Sequence, residues 1–253
     1  MNYLKFSALI IVGVLAACSK NENKPEAYEE PEKIIVERAP EEKAKTLTEL
    51  GLGYYRLGKY KYALEYLDSA LALDESNAVT YQVIGLINMR QHQSGLAEKN
   101  FKSAIKLDPE NFDILTDYAV FLYGQKRFDQ ALEAFTKVVA ASFYKNKWVA
   151  YTYLGYYELE KGNKLPAEKK FYYALKLNKR YPPALLEMSK LRYGQAKMMS
   201  ARAYIERYFT ATGKTLPGLR LGIKIENALQ DNEQAEQYEL ELRRNFPYAE
   251  PEK

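Results

Sequence analysis

Apolar and polar positions follow each other along residues 44–249 with the spacing of amphipathic helices, one stripe for a core and one for water. The stripe itself repeats. Alanine returns at Ala63, Ala97, Ala131, Ala167, Ala201 and Ala235, in steps of 34 residues broken by one step of 36 between Ala131 and Ala167. Leu67, Phe101, Phe135 and Phe171 stand four residues after their alanines, and Ala70, Ala104 and Ala174 three further on. Gly51, Gly85 and Gly155 hold one earlier position, with Ala119 as its equivalent in the third repeat. This predicts two helices per repeat, crossing closely where small residues meet, because a larger side chain there would push the axes apart. Gly58-Lys59 and Gly162-Asn163 mark turns between the paired helices. Pro109 ends the second repeat, lacking the N–H a helix needs, while Glu75 and Lys179 hold the equivalent places.

A helix–turn–helix period of 34 residues resembles the tetratricopeptide repeat, in which each unit buries its apolar face only by stacking on its neighbours. The expected fold is all-α: a superhelical solenoid of about six units at 44–77, 78–111, 112–145, 148–181, 182–215 and 216–249. The resemblance is specific over 44–181. Beyond that Ala201 and Ala235 keep register, but Ser189 and Ile223 stand where glycine is expected. The 36-residue step should be absorbed as a longer connection around 142–147, a bend or a contact loop.

The N-terminus carries a different pattern. A short positive region at 1–5 precedes an apolar stretch at 6–17, within the range of a secretory signal and short of the ~20 residues that span a bilayer. Leu15-Ala16-Ala17-Cys18 resembles a bacterial lipobox, which implies removal of residues 1–17 and an N-acyl, S-diacylglycerol lipid on Cys18. The competing reading is an ordinary signal or an uncleaved anchor. Cys18 is the chain's single cysteine and stands where this chemistry needs it, so no disulfide is expected. Several acyl chains anchor far more firmly than the single chain that binds marginally. Ser19 after the cysteine favours the outer membrane, facing the periplasm, over inner-membrane retention. Residues 18–43 are rich in Glu, Lys, Asn and Pro and predict a flexible tether spanning on the order of 25 Å, with Ile34-Ile35-Val36 its one apolar cluster.

Composition adds mainly exclusions. A net charge of +4 over 253 residues selects no partner. Ten basic residues between Lys161 and Lys197, with Tyr172, Tyr173 and Tyr193 nearby, read first as a solvated face and second as a contact with anionic lipid or an acidic partner, not nucleic acid. His92 is the single histidine, beside Gln91 and Gln93 near a helix end, and reads as a surface residue. No metal-ligand spacing, phosphate loop or oriented nucleophile is present, so no catalytic residue, metal, small-molecule substrate or cofactor beyond the lipid is expected.

In such an array the first helices line the concave face, and the register assigns groove positions to Leu52, Tyr55 and Arg56; Leu86, Met89 and Arg90; Val120 and Tyr123; and Tyr156 and Leu159. These predict a greasy groove suited to an amphipathic helix or an apolar peptide. Leu52 and Val120 are equally well read as packing residues between first helices.

Several blocks exceed what repeat packing requires. They are residues 118–125, YAVFLYGQ; 181–188, YPPALLEM; 201–208, ARAYIERY; 221–226, LGIKIE; and Phe246-Pro247. With the lipobox, these blocks resemble the type IV pilus biogenesis and stability lipoproteins, the outer-membrane pilotins of the secretin. The resemblance implies a protein that binds the secretin subunit, carries it to the outer membrane and promotes its multimerisation. Thr116-Asp117 stand where relatives often have paired asparagines, and tyrosines at 123 and 157 where relatives carry cysteines, which implies packing in place of a disulfide. Rival readings are a periplasmic adaptor for a protease or peptidoglycan hydrolase, and a component of outer-membrane protein assembly.

Overall fold

Twelve α-helices and no strands make up residues 39–249, the residues that the computed structural model describes. They pair in chain order: α1 Pro40–Arg56 with α2 Tyr60–Leu73, α3 Ala78–Arg90 with α4 Ser94–Leu107, and α5 Phe112–Gly124 with α6 Phe128–Ala140. Then come α7 Trp148–Glu160 with α8 Lys164–Leu177, α9 Pro182–Gly194 with α10 Met198–Thr212, and α11 Leu216–Leu229 with α12 Asn232–Asn245. The leader, Cys18 and nearly all of the tether lie outside the described residues. Five units open at the residue where a first helix starts; the first differs, because Pro40 at the helix N-terminus and Glu41 and Glu42 in the first turn start α1 four residues before 44.

The alanines of the ladder are buried, all but Ala235 completely, and Phe101, Phe135 and Phe171 are fully enclosed. Their partner is the small residue of the first helix. A Cβ on Gly155 would meet the Phe171 ring at 2.7 Å, and one on Gly51 would meet Leu67 at the same distance. The repeat thus spends its glycine where backbone must lie flat against a large side chain. Unit five replaces it with buried Ser189, whose hydroxyl donates to the Ala201 carbonyl at 2.9 Å. In unit six the contact slips by one residue: a Cβ on Gly222, not on position 223, would meet the Tyr238 ring at 3.0 Å.

The turn between the paired helices of each unit holds one residue with a left-handed backbone: Gly58, His92, Lys126, Gly162, Ala196 and Gln230, with φ between 58° and 79°; Gly213, in the connection after α10, also has a positive φ. Those in the turns share the 34-residue register. Only two are glycine, so the other four carry a side chain in a conformation that costs an L-residue on the order of 1 kcal/mol. His92 is exposed here, as a turn residue should be.

The blocks beyond the repeat have physical roles. Pro182 and Pro183 start α9, where missing N–H groups cost nothing, and Phe246-Pro247 ends α12. Arg202 of α10 pairs with Glu226 of α11, which is only 1% exposed, and with Asp231 at 2.9 Å. Tyr208 shares a hydrogen bond with Thr215 at 2.9 Å across the same junction. The described residues form one compact unit with a continuous series of buried apolar side chains, so this segment carries its own core.

Candidate functional site

The first helices stand side by side, and their shared face is hollowed into a groove of about 670 Å³. Seven residues assigned to it by register line it: Leu52, Tyr55 and Arg56 from α1, Leu86, Met89 and Arg90 from α3, and Val120 from α5. Leu52 and Val120 do both things asked of them, since each also packs on the core cluster beneath.

Tyr123, Tyr156 and Leu159 do not line this groove. Tyr123 packs edge-on against Phe128 and Tyr153, each 5.1 Å away, and donates to Glu160 at 2.8 Å. Tyr156 packs edge-on against Phe171 at 5.6 Å, and both it and Leu159 lie on the core of units four to six. The groove crosses the first helices diagonally. It uses the C-terminal end of α1, the length of α3, the N-terminal part of α5 and, at α7, only Trp148, Val149 and Tyr153. Successive units of a solenoid are rotated by a small angle, so one register position faces the hollow in some units and the next helix in others.

Several lining residues were not assigned from sequence. Tyr144 and Asn146 come from the long connection before α7, which folds over the hollow as a wall. Tyr144 donates to Asp113 at 2.6 Å, and Lys147 Nζ holds the Val139 carbonyl at 3.0 Å, fixing both ends of that connection. Tyr181 closes the far side, its hydroxyl pushed up to about 12 by burial. The two extra residues of the 36-residue step were the one available signal for this wall.

Polar groups are segregated along the groove. Arg56 and Arg90 lie at the C-terminal ends of α1 and α3; the Arg90 guanidinium is held by the Tyr55 hydroxyl, which raises its pKa. Asp113 and Asp117 lie in the N-terminal half of α5, toward the opposite end of the first helices. Burial raises the Asp117 carboxyl to about 6, against an opposing hydrogen bond from Gln82 at 2.7 Å and with a smaller contribution from Asp113. The cavity is thus apolar along its floor, cationic at one end and acidic at the other. No three His, Cys, Asp or Glu side chains gather as a metal-binding group among the described residues.

Phe128 lies between Tyr123 and Tyr157, with ring centroids at 5.1 and 6.2 Å. This aromatic sandwich occupies the positions compared above with cysteines.

Models of the tetratricopeptide repeat match residues 44–77 and 89–142. The chain is 27% identical over 241 residues to the type IV pilus assembly protein PilF of Pseudomonas aeruginosa, covering 94% of this chain and 92% of that protein. A solved structure of Pseudomonas aeruginosa PilF superposes with a TM-score of 0.74 at 27% identity, over 84% of this chain and 96% of that one. The crystal structure of PilW, described as a widely conserved type IV pilus biogenesis factor, gives a TM-score of 0.68 at 26% identity, over 82% and 95%. Fold, repeat and near full-length similarity agree: the chain is a tetratricopeptide-repeat solenoid, similar in sequence and structure to type IV pilus biogenesis proteins.

Proposed function

We propose that this protein acts in type IV pilus biogenesis as an outer-membrane pilotin, a binding protein and not an enzyme, that engages the secretin subunit through its groove. A lipid on Cys18 anchors it facing the periplasm, and the tether at 18–43 keeps the bound subunit near the membrane, where a raised local concentration promotes ring assembly. The observation that carries the reading is the apolar groove across units one to four, on a chain similar over nearly its whole length to two pilus biogenesis factors.

The groove suits a secretin segment with apolar side chains on one face, an acidic group toward Arg56 and Arg90, and a basic group toward Asp113 and Asp117. Opposite charges at the two ends give the bound segment one direction. Titration of the secretin's periplasmic region should show Leu86→Glu weakening binding at least about tenfold, the order expected when a charge enters an apolar contact. Leu240→Glu, on an exposed position of α12, should leave it unchanged. Equal affinity of the Leu86 variant removes the groove from the reading. Cys18→Ala should abolish membrane association and secretin multimers without altering the fold; multimers at native level would overturn the pilotin mechanism. Co-purification of a protease, a peptidoglycan hydrolase or many outer-membrane barrels in place of one secretin would favour the adaptor or assembly reading.

A further inference from the structure

The positive charge of the chain is concentrated in one stretch. Residues 161–214 hold thirteen lysines and arginines against three acidic residues, a net +10 in a chain whose total is +4. Two of those acids are already engaged, Glu168 with Arg192 and Glu187 with Lys190. Between α8, the turn after it and α10 lies a cleft of about 500 Å³, distinct from the groove of the first helices. Lys176, Lys179, Arg180 and Arg207 line it with Tyr172 and Tyr204, and no carboxylate does.

Cations near the C-terminal end of α8 offset its dipole, but Arg207 stands within α10 and has no such role. It is held in place: its guanidinium donates to the Lys179 carbonyl at 2.7 Å and lies over the Tyr204 ring at 5.3 Å. The cleft is therefore a preformed cationic hollow. Beside it, Leu165, Lys169, Tyr172 and Lys176 share one exposed face of α8 by their spacing, with Leu165 75% and Tyr172 56% exposed. An acidic protein segment needs the cations alone. Apolar and tyrosine side chains interleaved with lysines are what a lipid headgroup layer accepts, tyrosine at the interface and lysine toward phosphate.

We propose that the outer face of α8 and the cleft beside it dock onto a bilayer containing anionic phospholipid, with lipid phosphates in the cleft and Leu165 and Tyr172 in the headgroup layer. This contact goes beyond the pilotin reading and is independent of lipid on Cys18. It sets the orientation of the array on the membrane, where a tether alone leaves that orientation open.

The test uses residues 38–253, which carry their own core and lack Cys18, in sedimentation with phosphatidylcholine vesicles and with vesicles holding about 30 mol% phosphatidylglycerol. Binding to the anionic vesicles should be at least about tenfold stronger, and should weaken as salt is raised. Lys176→Gln/Lys179→Gln/Arg180→Gln should remove about tenfold or more of that preference. Lys59→Gln/Lys61→Gln/Lys99→Gln, an equal loss of charge on units one and two, should change it less than about twofold if location and not net charge decides. Leu165→Ser, a single exposed change, should lower binding to anionic vesicles by about threefold or more through lost interfacial burial. Equal binding to the two vesicle types, equal losses in the two triple variants, or capture of polyglutamate without vesicle binding would overturn the proposal.

Discussion

Units one to four hold together by apolar interlocking, and the junction of units five and six, where Gly218 lies against Tyr208 and Phe209, adds an ion pair to it. In the first four, small residues of one helix admit a large apolar side chain of the next, and ionisable groups keep to surfaces and the groove. At the junction a charge goes inside: Glu226 is 1% exposed and depends on Arg202. Apolar interlocking tolerates repetition, since each unit makes the same contact between its own two helices. A buried ion pair is particular to one place and loses its balance when either partner is removed. The end of the array is thus joined by a unique contact where the repeat pattern is weakest.

Removing that contact should have the largest effect. Arg202→Ala leaves Glu226 buried without its partner and should cost about 3–5 kcal/mol, with amide exchange accelerated first in α11 and α12. Unchanged exchange there would erase the distinction between the two regions. On the apolar side, Gly155→Val forces a branched side chain against a ring already 2.7 Å from the Cβ position, and should cost about 2–3 kcal/mol in a denaturant melt. A smaller loss would mean that Phe171 has room to move.

Asp117 sharpens the comparison by titration. Its folded value, near 6, lies above its ordinary 3.8, so the native protein holds the proton more tightly than the unfolded chain. Its contribution to stability is complete below about pH 4, falls as pH rises to about 6, and is level above that. Asp117→Asn keeps an acceptor for Gln82 and should stabilise the protein at pH 7 by roughly 1–2 kcal/mol, with no gain near pH 4. The smallest effect belongs to the turns. Ala196→Gly relieves a left-handed backbone and should raise stability by about 0.5 kcal/mol, the relief being offset in part by the freer unfolded chain.

Helix pairing was legible because it needs only local pattern: glycine and alanine at fixed spacing leave room for phenylalanine, and that room does not depend on the rest of the molecule. Ile223 illustrates the limit. Counting by 34 assigns the close contact to position 223, but the last unit makes it through Gly222 and Tyr238, a slip that spacing alone does not reveal. The groove was legible at Leu52, Leu86 and Met89 and not at Tyr156 or Leu159, although all five follow the same register. Which side of a helix faces the hollow depends on rotation accumulated between units, a property of the stack and not of any one repeat. Sequence marks Asp117 only as a departure from paired asparagines; its raised pKa comes from desolvation, which depends on what surrounds it.

The longer connection between α6 and α7 leaves the alanine register intact on both sides, yet its Tyr144 and Asn146 supply a wall to the groove. Frame and fitting are therefore separable parts of this chain. A longer or shorter segment at 141–147 would reshape the hollow while the stack of helices stood as before, so the shape of the groove can vary at little structural risk.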